Sequence, residues 1–300
     1  MTPTRQTQSF LRRRFAEVGL EPVKKHGQNF LIDLNLMELL AKSADLQPTD
    51  VVLEVGTGTG ALTGIMAQQA AHVISVEIDP RLHQLASEEL IDQPNVTLLC
   101  QDALQDKNHL APNILELVQS ELTAGPDRQF KVAANLPYCV ATPIISNLLL
   151  DPPLPVSLTV TIQLELAQRI TAVPQTKDYS ALSIWVQCQA NAEILRVLPP
   201  SAFWPRPQVE SAILKITPDP ALRRQIPDLR GFHEFIRALF LYRRKHLRGV
   251  LIHALKKQLP KSDVDTLLAG LSFAENARVE ELSVPELLML HGAVTVFLRR

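Results

Sequence analysis

Residues 135–138, which read Asn-Leu-Pro-Tyr, follow directly on an apolar run that predicts a buried strand. Pro137 has no N–H and a fixed φ, and it favours an extended conformation at Leu136. The backbone carbonyl of Leu136 and the side-chain oxygen of Asn135 then offer two hydrogen-bond acceptors beside the ring of Tyr138. Two acceptors and a flat ring suit a planar amine such as a nucleobase amino group. Asn and Pro are also common turn residues, so these four residues alone fit an ordinary turn equally well.

A second stretch that could do chemistry is the glycine-rich turn at residues 56–60, which lies between a strand-like run and a helix-like stretch. Glycine lets a ligand approach the backbone closely, and the helix N-terminus adds partial positive charge. Glu77 ends the next predicted strand, where it can accept hydrogen bonds from both hydroxyls of a ribose. The turn fits both the dinucleotide pattern G-x-G-x-x-A and the pattern G-x-G-x-G of S-adenosylmethionine enzymes. The loop alone therefore does not choose between NAD and S-adenosylmethionine.

Alternating strands and helices are expected to position these residues. The predicted strands lie at residues 51–55, 72–78, 96–100, 130–134, 157–163, 183–190, 194–198 and 211–217. Helices between the first five indicate βαβ units and a parallel sheet. Ligands of such sheets bind outside the carboxyl ends of the strands, and Asp102 follows the third strand at that edge. Asp102 could accept a hydrogen bond from an adenine amino group, while Ala103 leaves room for the ring; a lone Asp there is otherwise a turn or cap residue.

The composition changes near residues 217–220, and only helical patterns follow. Three regions are predicted: a basic N-terminal helix and arm at 1–28, an α/β domain at 29–217 and a small helical domain at 218–300.

The overall composition is that of a soluble globular protein, with 300 residues, 46% hydrophobic and 20% charged. The apolar runs are too short to span a bilayer, and the polar N-terminus lacks a signal-peptide core. Three widely spaced cysteines fit a reducing compartment and show no metal-ligand spacing. We therefore expect a cytoplasmic chain that uses no metal and contacts no membrane.

The net charge of −1 does not indicate a nucleic-acid binder, but the basic residues are clustered. The clusters are Arg12, Arg13 and Arg14; Lys24 and Lys25; and Arg243, Arg244, Lys245 and Arg248. Each cluster alone fits a solvated surface, and only their convergence on one surface would form a track for phosphates.

Seven stretches in order carry a family resemblance: residues 27–31, 54–63, 76–79, 101–103, 135–138, 200–211 and 243–245. Together they resemble the ribosomal RNA adenine N6,N6-dimethyltransferase family, the small-subunit enzyme also called the kasugamycin-resistance methyltransferase. The resemblance implies a Rossmann-like, seven-stranded S-adenosylmethionine-dependent methyltransferase sheet at 29–217, followed by a small all-helical domain that contacts RNA. It implies dimethylation of the N6 amino groups of two adjacent adenines in rRNA of the small ribosomal subunit, by a monomer.

The resemblance also implies roles for individual residues. The residues implied for S-adenosylmethionine are Asn29, Leu31, Gly56, Gly58, Glu77, Asp102 and Asn135. Asn135, Leu136 and Tyr138 would receive the adenine, with Phe203 as a second aromatic face and the basic clusters holding RNA. Without the family, Phe203 would be interpreted as a core aromatic. Cys139 and Trp204 depart from or crowd the pattern beside the expected pocket.

Other functions stay open at this point. They are methylation of large-subunit rRNA and a non-catalytic RNA-binding or transcription factor on the same scaffold. DNA adenine and glutamine methyltransferases more often read N-P-P-Y or D-P-P-Y. The intact residues Gly56, Glu77, Asp102 and Asn135 argue against the loss of cofactor binding.

Overall fold

The computed structural model describes residues 7–20, 28–271 and 273–299, which divide into two compact units. The first unit contains the described residues up to Ala167 together with Glu193–Pro218. The second contains Gln168–Ala192 and the described residues from Asp219 onward. The sequence predicts one change of domain after residue 217, so residues 168–192 are the segment whose assignment differs.

The strands and helices are numbered in chain order. The strands are β1 (Phe30–Leu31), β2 (Asp50–Val55), β3 (His72–Glu77), β4 (Val96–Cys100), β5 (Leu104–Asp106), β6 (His109–Leu110), β7 (Gln129–Asn135), β8 (Ser157–Gln163), β9 (Ala190–Leu198), β10 (Phe203–Trp204) and β11 (Ser211–Pro218). The helices are α1 (Gln8–Glu17), α2 (Leu34–Ser43), α3 (Ala61–Ala67), α4 (Pro80–Glu89), α5 (Pro112–Thr123), α6 (Ala141–Leu148), α7 (Leu164–Thr171), α8 (Ala181–Gln187), α9 (Pro220–Arg224), α10 (Leu229–Phe240), α11 (Leu247–Ala254), α12 (Lys261–Leu271) and α13 (Val284–Leu298).

A seven-stranded sheet in the order β4-β3-β2-β7-β8-β11-β9 forms the centre of the first unit, as the fold prediction required. Strands β4, β3, β2, β7 and β8 are parallel, and β11 is antiparallel to β8. β2 and β7 are buried along most of their length, which explains their continuous apolar sequence. Since the carboxyl ends of parallel strands meet at one edge, the residues after β2, β3, β4 and β7 lie together there.

Within the first unit, helix α1 packs against helix α4 through its apolar face. Leu11 and Phe15 are buried against Leu82 and Leu85 of α4. The ring of Phe15 meets that of Phe30 edge-on, with centroids 5.1 Å apart. This contact fixes Phe30 at the rim of the sheet's carboxyl edge.

A two-stranded ribbon connects two segments of the first unit that are far apart in the chain. Strand β1 pairs antiparallel with β10, with Phe30 opposite Trp204 and Leu31 opposite Phe203. Side chains alternate between the two faces of a strand, so Phe203 and Trp204 point to opposite sides. This ribbon decides which of the two aromatic residues faces the core.

One predicted strand is wrong. The apolar run at 183–190 predicts a strand, but α8 occupies Ala181–Gln187 and only the last residue of that run begins β9. A capping box starts the helix: the Ser180 N–H donates to the Ser183 hydroxyl at 2.9 Å. A short apolar run cannot by its period alone distinguish a buried helix from a buried strand.

The second unit is helical, as the pattern after residue 220 predicts. Phe232, Ile236 and Leu239 on one face of α10 are buried. Buried polar contacts also hold the unit together, since the Tyr179 hydroxyl donates to the Leu282 carbonyl at 2.9 Å. In the described part of the chain, no helix has the length and apolar character that a membrane crossing requires.

Candidate functional site

A cavity of about 340 Å³ opens at the carboxyl edge of the parallel strands. Of the residues predicted for the site, its wall contains Asn29, Gly56, Gly58, Glu77, Asp102, Asn135, Leu136 and Tyr138. These residues come from four separate strand ends and from the segment before β1. The fold therefore brings the amide-aromatic stretch and the glycine loop to one cavity.

The glycine loop touches the stretch at 135–138 directly. Gly56 has φ +91°, and its N–H donates to the Val76 carbonyl at 2.8 Å. A Cβ on Gly56 would lie 3.1 Å from Cδ of Pro137, so only glycine fits both the conformation and the space. Gly60 has φ +85° at the residue before α3. The loop thus leads from β2 into a helix N-terminus beside the cavity.

Glu77 is one of two acidic residues on the cavity wall and is only 5% exposed. Its two carboxylate oxygens accept from the backbone N–H groups of Gly58, at 2.9 Å, and Asp79, at 3.0 Å. Burial raises the pKa of Glu77, against the opposing effect of those two N–H groups. A carboxylate accepts about four hydrogen bonds, so Glu77 retains capacity for two neighbouring hydroxyls.

Asp102 is a turn residue that also lies on the cavity wall. Its Oδ1 accepts from the Leu104 N–H at 2.9 Å in a local turn, while the side chain is exposed on the cavity wall. Ala103 next to it is buried, and Ile78, 46% exposed, adds an apolar surface to the same wall. A flat heterocycle with an amino group fits between an apolar wall and a carboxylate of this kind.

Asn135, the last residue of β7, has a fixed amide. Its Nδ2 donates to the backbone carbonyl of Asn29 at 2.9 Å, so Oδ1 points away from that carbonyl as an acceptor. The N–H of Leu136 donates to the Thr161 carbonyl of β8 at 3.1 Å, and Pro137 then ends the strand pairing. The first two residues of the stretch are therefore held by the sheet and by the segment before β1.

Tyr138 completes this side of the cavity. Its ring lies on the wall, and its hydroxyl is 2.5 Å from Oγ of Ser211, a fully buried residue at the start of β11. Burial raises the pKa of the Tyr138 hydroxyl.

A smaller cavity of about 40 Å³ lies at the same loop and shares Phe30, Gly56, Gly58 and Asn135 with the first. Leu31 lines this smaller cavity. Glu54 also reaches it, although the residue is only 1% exposed. Its Oε2 accepts from the hydroxyls of Thr63, at 2.5 Å, and Ser75, at 2.6 Å. Burial raises the pKa of Glu54 to about 8, because two neutral donors compensate little for lost hydration.

The structure does not bring Phe203 to the cavity. Phe203 is 2% exposed and packs in the core with Leu198 and Ala202. In this structure Phe203 therefore does not offer a second aromatic face to the cavity. Phe30, which sequence reasoning missed, is the second aromatic residue on the wall beside Tyr138, and a Cβ on Gly58 would approach its ring to 3.3 Å. Its place in the stretch 27–31 was the available signal.

The two residues that depart from the family pattern have clear positions. Cys139 is exposed on the cavity wall. Trp204 faces α1 instead, with its ring 5.6 Å from that of Phe15. Trp204 therefore does not crowd the pocket.

The predicted RNA-binding residues differ in their freedom. Arg14 is paired with Glu17 and with Glu88, the latter at 2.9 Å.

Arg12 and Arg13 are exposed near the rings of Trp204 and Phe10. Lys24 and Lys25 lie outside the described residues. In α1, only Arg12 and Arg13 present their charge to solvent without an ion pair among the described residues.

The third basic cluster, at residues 243–248, is divided in the same way. Arg243 donates to the backbone carbonyls of Tyr179, at 2.6 Å, and Lys177, at 2.9 Å, so it has a structural role. Arg248 forms a two-pronged pair with Asp265, at 2.6 and 2.9 Å. The side chains of Arg244 and Lys245 are exposed. For RNA binding, the structure leaves Arg244 and Lys245 better placed than Arg243 and Arg248.

The chain is similar to known proteins over most of its length. A sequence profile described as ribosomal RNA adenine dimethylase matches residues 21–290. The ribosomal RNA small subunit methyltransferase A of Alkaliphilus metalliredigens is 41% identical over 266 residues, which cover 88% of each chain. The protein of the same name from Lactiplantibacillus plantarum is 39% identical over 278 residues, covering 92% of this chain and 91% of the other.

Two solved structures share the fold. A dimethyladenosine transferase from Plasmodium falciparum superposes with a TM-score of 0.70 at 24% identity, covering 86% of this chain and 94% of that one. The 23S rRNA methyltransferase ErmE superposes with a TM-score of 0.60 at 25% identity, covering 89% of this chain and all of the other. The profile match over most of the chain, with relatives about two-fifths identical over nearly their whole length, is decisive. The chain belongs to the ribosomal RNA adenine dimethylase family.

Proposed function

We propose that this protein transfers methyl groups from S-adenosylmethionine to the N6 amino group of adenines in the rRNA of the small ribosomal subunit, giving N6,N6-dimethyladenine. The observation that carries the proposal is the fixed amide of Asn135, which lies on one cavity wall with the glycine loop and the ring of Tyr138. The names of the relatives at 39–41% identity support the small-subunit substrate. A substrate of this kind supports a cytoplasmic location for the protein.

The residues of the cavity fit S-adenosylmethionine. Glu77 has the capacity to accept from both ribose hydroxyls, and Asp102 can accept from the adenine amino group. Gly56 and Gly58 leave the space that a side chain would fill. When bound, the cofactor supplies an electrophilic methyl group on a sulfonium. No cluster of metal-ligating side chains occurs within the described ranges, and the proposed reaction uses no metal.

On the RNA side, the protein has to activate a weak nucleophile. The lone pair of an adenine amino group is delocalised into the ring. Hydrogen bonds from its two N–H groups to Oδ1 of Asn135 and to the Leu136 carbonyl favour a pyramidal nitrogen with a localised lone pair. Stacking on Tyr138 adds about 1–3 kcal/mol and holds the unpaired base. The remaining task is to align the nitrogen with the methyl group, with the reacting atoms about 3–3.5 Å apart.

Large-subunit rRNA is the second candidate substrate, because ErmE shares the fold at 25% identity. We expect small subunits that lack these methyl groups to accept label from radioactive S-adenosylmethionine, and large subunits, DNA and protein to accept little. Small subunits that are already methylated are the control. Preferential labelling of large subunits would contradict the proposed substrate.

Exposed basic residues are proposed to hold the RNA backbone. Replacing Arg244 and Lys245 together by alanine should weaken binding to small subunits and flatten its dependence on salt. The logarithmic slope should fall by roughly 0.7–0.9 for each phosphate that the variant no longer neutralises. Binding titrations at several salt concentrations measure both effects.

Arg248→Ala is the matched control, because the Arg248 charge is already neutralised by Asp265. An equal loss of slope in Arg248→Ala and in the double variant would count against this assignment.

A further inference from the structure

The stretch at 203–211 reaches the candidate site through its serine rather than its phenylalanine. Phe203 is in the core, whereas Oγ of Ser211 lies 2.5 Å from the Tyr138 hydroxyl. We propose that Ser211 is a positioning residue that holds the Tyr138 ring in the plane on which the target adenine stacks. The inference rests on the proposed function, because it assigns a task to Tyr138 in that reaction.

Ser211 is well suited to fix another side chain because it is itself held within the sheet. It is fully buried and is the first residue of β11, opposite Gln163 of β8. The chain beside it is bonded again where the Leu164 N–H donates to the Glu210 carbonyl at 3.0 Å. The residue that carries this hydroxyl is therefore part of a paired strand and not of a loop.

The same strand, β8, also fixes the acceptor side of the site. Thr161 of β8 lies opposite Asn135 on one side and opposite Ile213 of β11 on the other. The strands that carry Asn135 and Ser211 thus both pair with β8. The position of the stacking ring relative to the amine acceptor is consequently set by sheet geometry.

Tyr138 needs such an anchor because it lies outside the sheet. It follows Pro137 in the turn between β7 and α6, where the strand pairing has ended. Its backbone fixes one end of the ring, and the bond to Ser211 fixes the other. A phenol is protonated at neutral pH and burial raises the pKa of the Tyr138 hydroxyl further, so this hydroxyl can donate to Ser211 or accept from it. A base that must stack in one plane gains from a ring held at both ends.

The test is a double-mutant comparison of Ser211→Ala, Tyr138→Phe and the combined variant, with small subunits that lack the methyl groups as substrate. Each single change removes one end of the same hydrogen bond and keeps the ring. Each should lower kcat/KM for the subunits by roughly two- to tenfold, the size expected for one neutral hydrogen bond. The combined variant should lose little more than either single one.

A second readout separates positioning from general support of the fold. The dissociation constant of S-adenosylhomocysteine, measured by calorimetry, should be unchanged within about twofold in all three variants. The reason is that Tyr138 is proposed to contact the target adenine of the RNA and not the cofactor. Ser157→Ala is the matched control, since Ser157 is also buried but begins β8 at the opposite edge of the sheet. Its kcat/KM should equal that of the wild type.

The outcomes separate this inference from the proposed function. Effects of Ser211→Ala and Tyr138→Phe that multiply, or a parallel loss of S-adenosylhomocysteine affinity, would overturn the positioning role. Full activity of Ser211→Ala in an enzyme that Asn135→Ala silences would overturn it too, and would leave the proposed function standing. A wild-type protein that does not methylate small subunits would overturn both.

Discussion

Replacing Asn135 by alanine should lower the rate of methyl transfer to small subunits by about a hundredfold or more, while the chain stays folded. The loss follows because the amine no longer meets the oriented acceptor, and misalignment of reacting groups alone can cost about 10²-fold. Stability should fall little, since only the hydrogen bond to the Asn29 carbonyl disappears, worth about 0.5–1.5 kcal/mol. Single-turnover labelling and thermal unfolding measure the two quantities.

A second substitution at the same position tests the orientation of the amide. Asn135→Asp keeps an acceptor but puts an oxygen opposite the Asn29 carbonyl, where Nδ2 now donates. The repulsion should turn the side chain, and activity should fall as well. Asn35→Ala, at an exposed position in the first turn of α2, is the control and should be fully active. Near-normal turnover of Asn135→Ala would remove the amide from the mechanism.

The second large effect is expected at Glu77. Replacing it by alanine should raise the dissociation constant of S-adenosylhomocysteine by about a hundredfold or more. Hydrogen bonds to a charged group contribute about 1.5–3 kcal/mol each, and two ribose hydroxyls would lose theirs. The Gly58 N–H in the glycine loop would also be left without its carboxylate acceptor. Isothermal calorimetry with S-adenosylhomocysteine measures the affinity without reference to catalysis.

Glu38→Ala is the matched control for Glu77, because Glu38 is an exposed carboxylate on α2 away from the cavity wall. Its affinity for S-adenosylhomocysteine should equal that of the wild type. An unchanged affinity in Glu77→Ala would show that the ribose is not held by this carboxylate, and the cofactor would then need another place in the cavity.

Local rules explain why so much of the fold could be predicted from the sequence. The parallel strands are continuous apolar runs. Each ends in a turn whose residues have the conformational preferences that the turn requires. Gly56 is an example, since both its φ of +91° and the closeness of Pro137 demand glycine. The carboxyl-edge rule then placed Glu77, Asp102 and Asn135 together without any knowledge of contacts.

Long-range pairing explains what the sequence did not reveal. The side on which Phe203 lies depends on its pairing with Leu31, which is remote in the chain. The strand expected at 183–190 is a helix because Ser180 and Ser183 cap it, and its apolar run alone was ambiguous. Whether the charge of a basic residue is free to bind RNA likewise depends on acidic residues that are remote in the chain, as in the pair between Arg248 and Asp265.

The most direct test of the mechanism is nucleoside analysis of small-subunit rRNA after incubation with S-adenosylmethionine and either the wild-type protein or Asn135→Ala. We expect mass spectrometry of the digested RNA to detect N6,N6-dimethyladenosine with the wild type and none above background with the variant. Methylation at another atom or nucleoside, or equal amounts of N6,N6-dimethyladenosine from the two proteins, would contradict the mechanism.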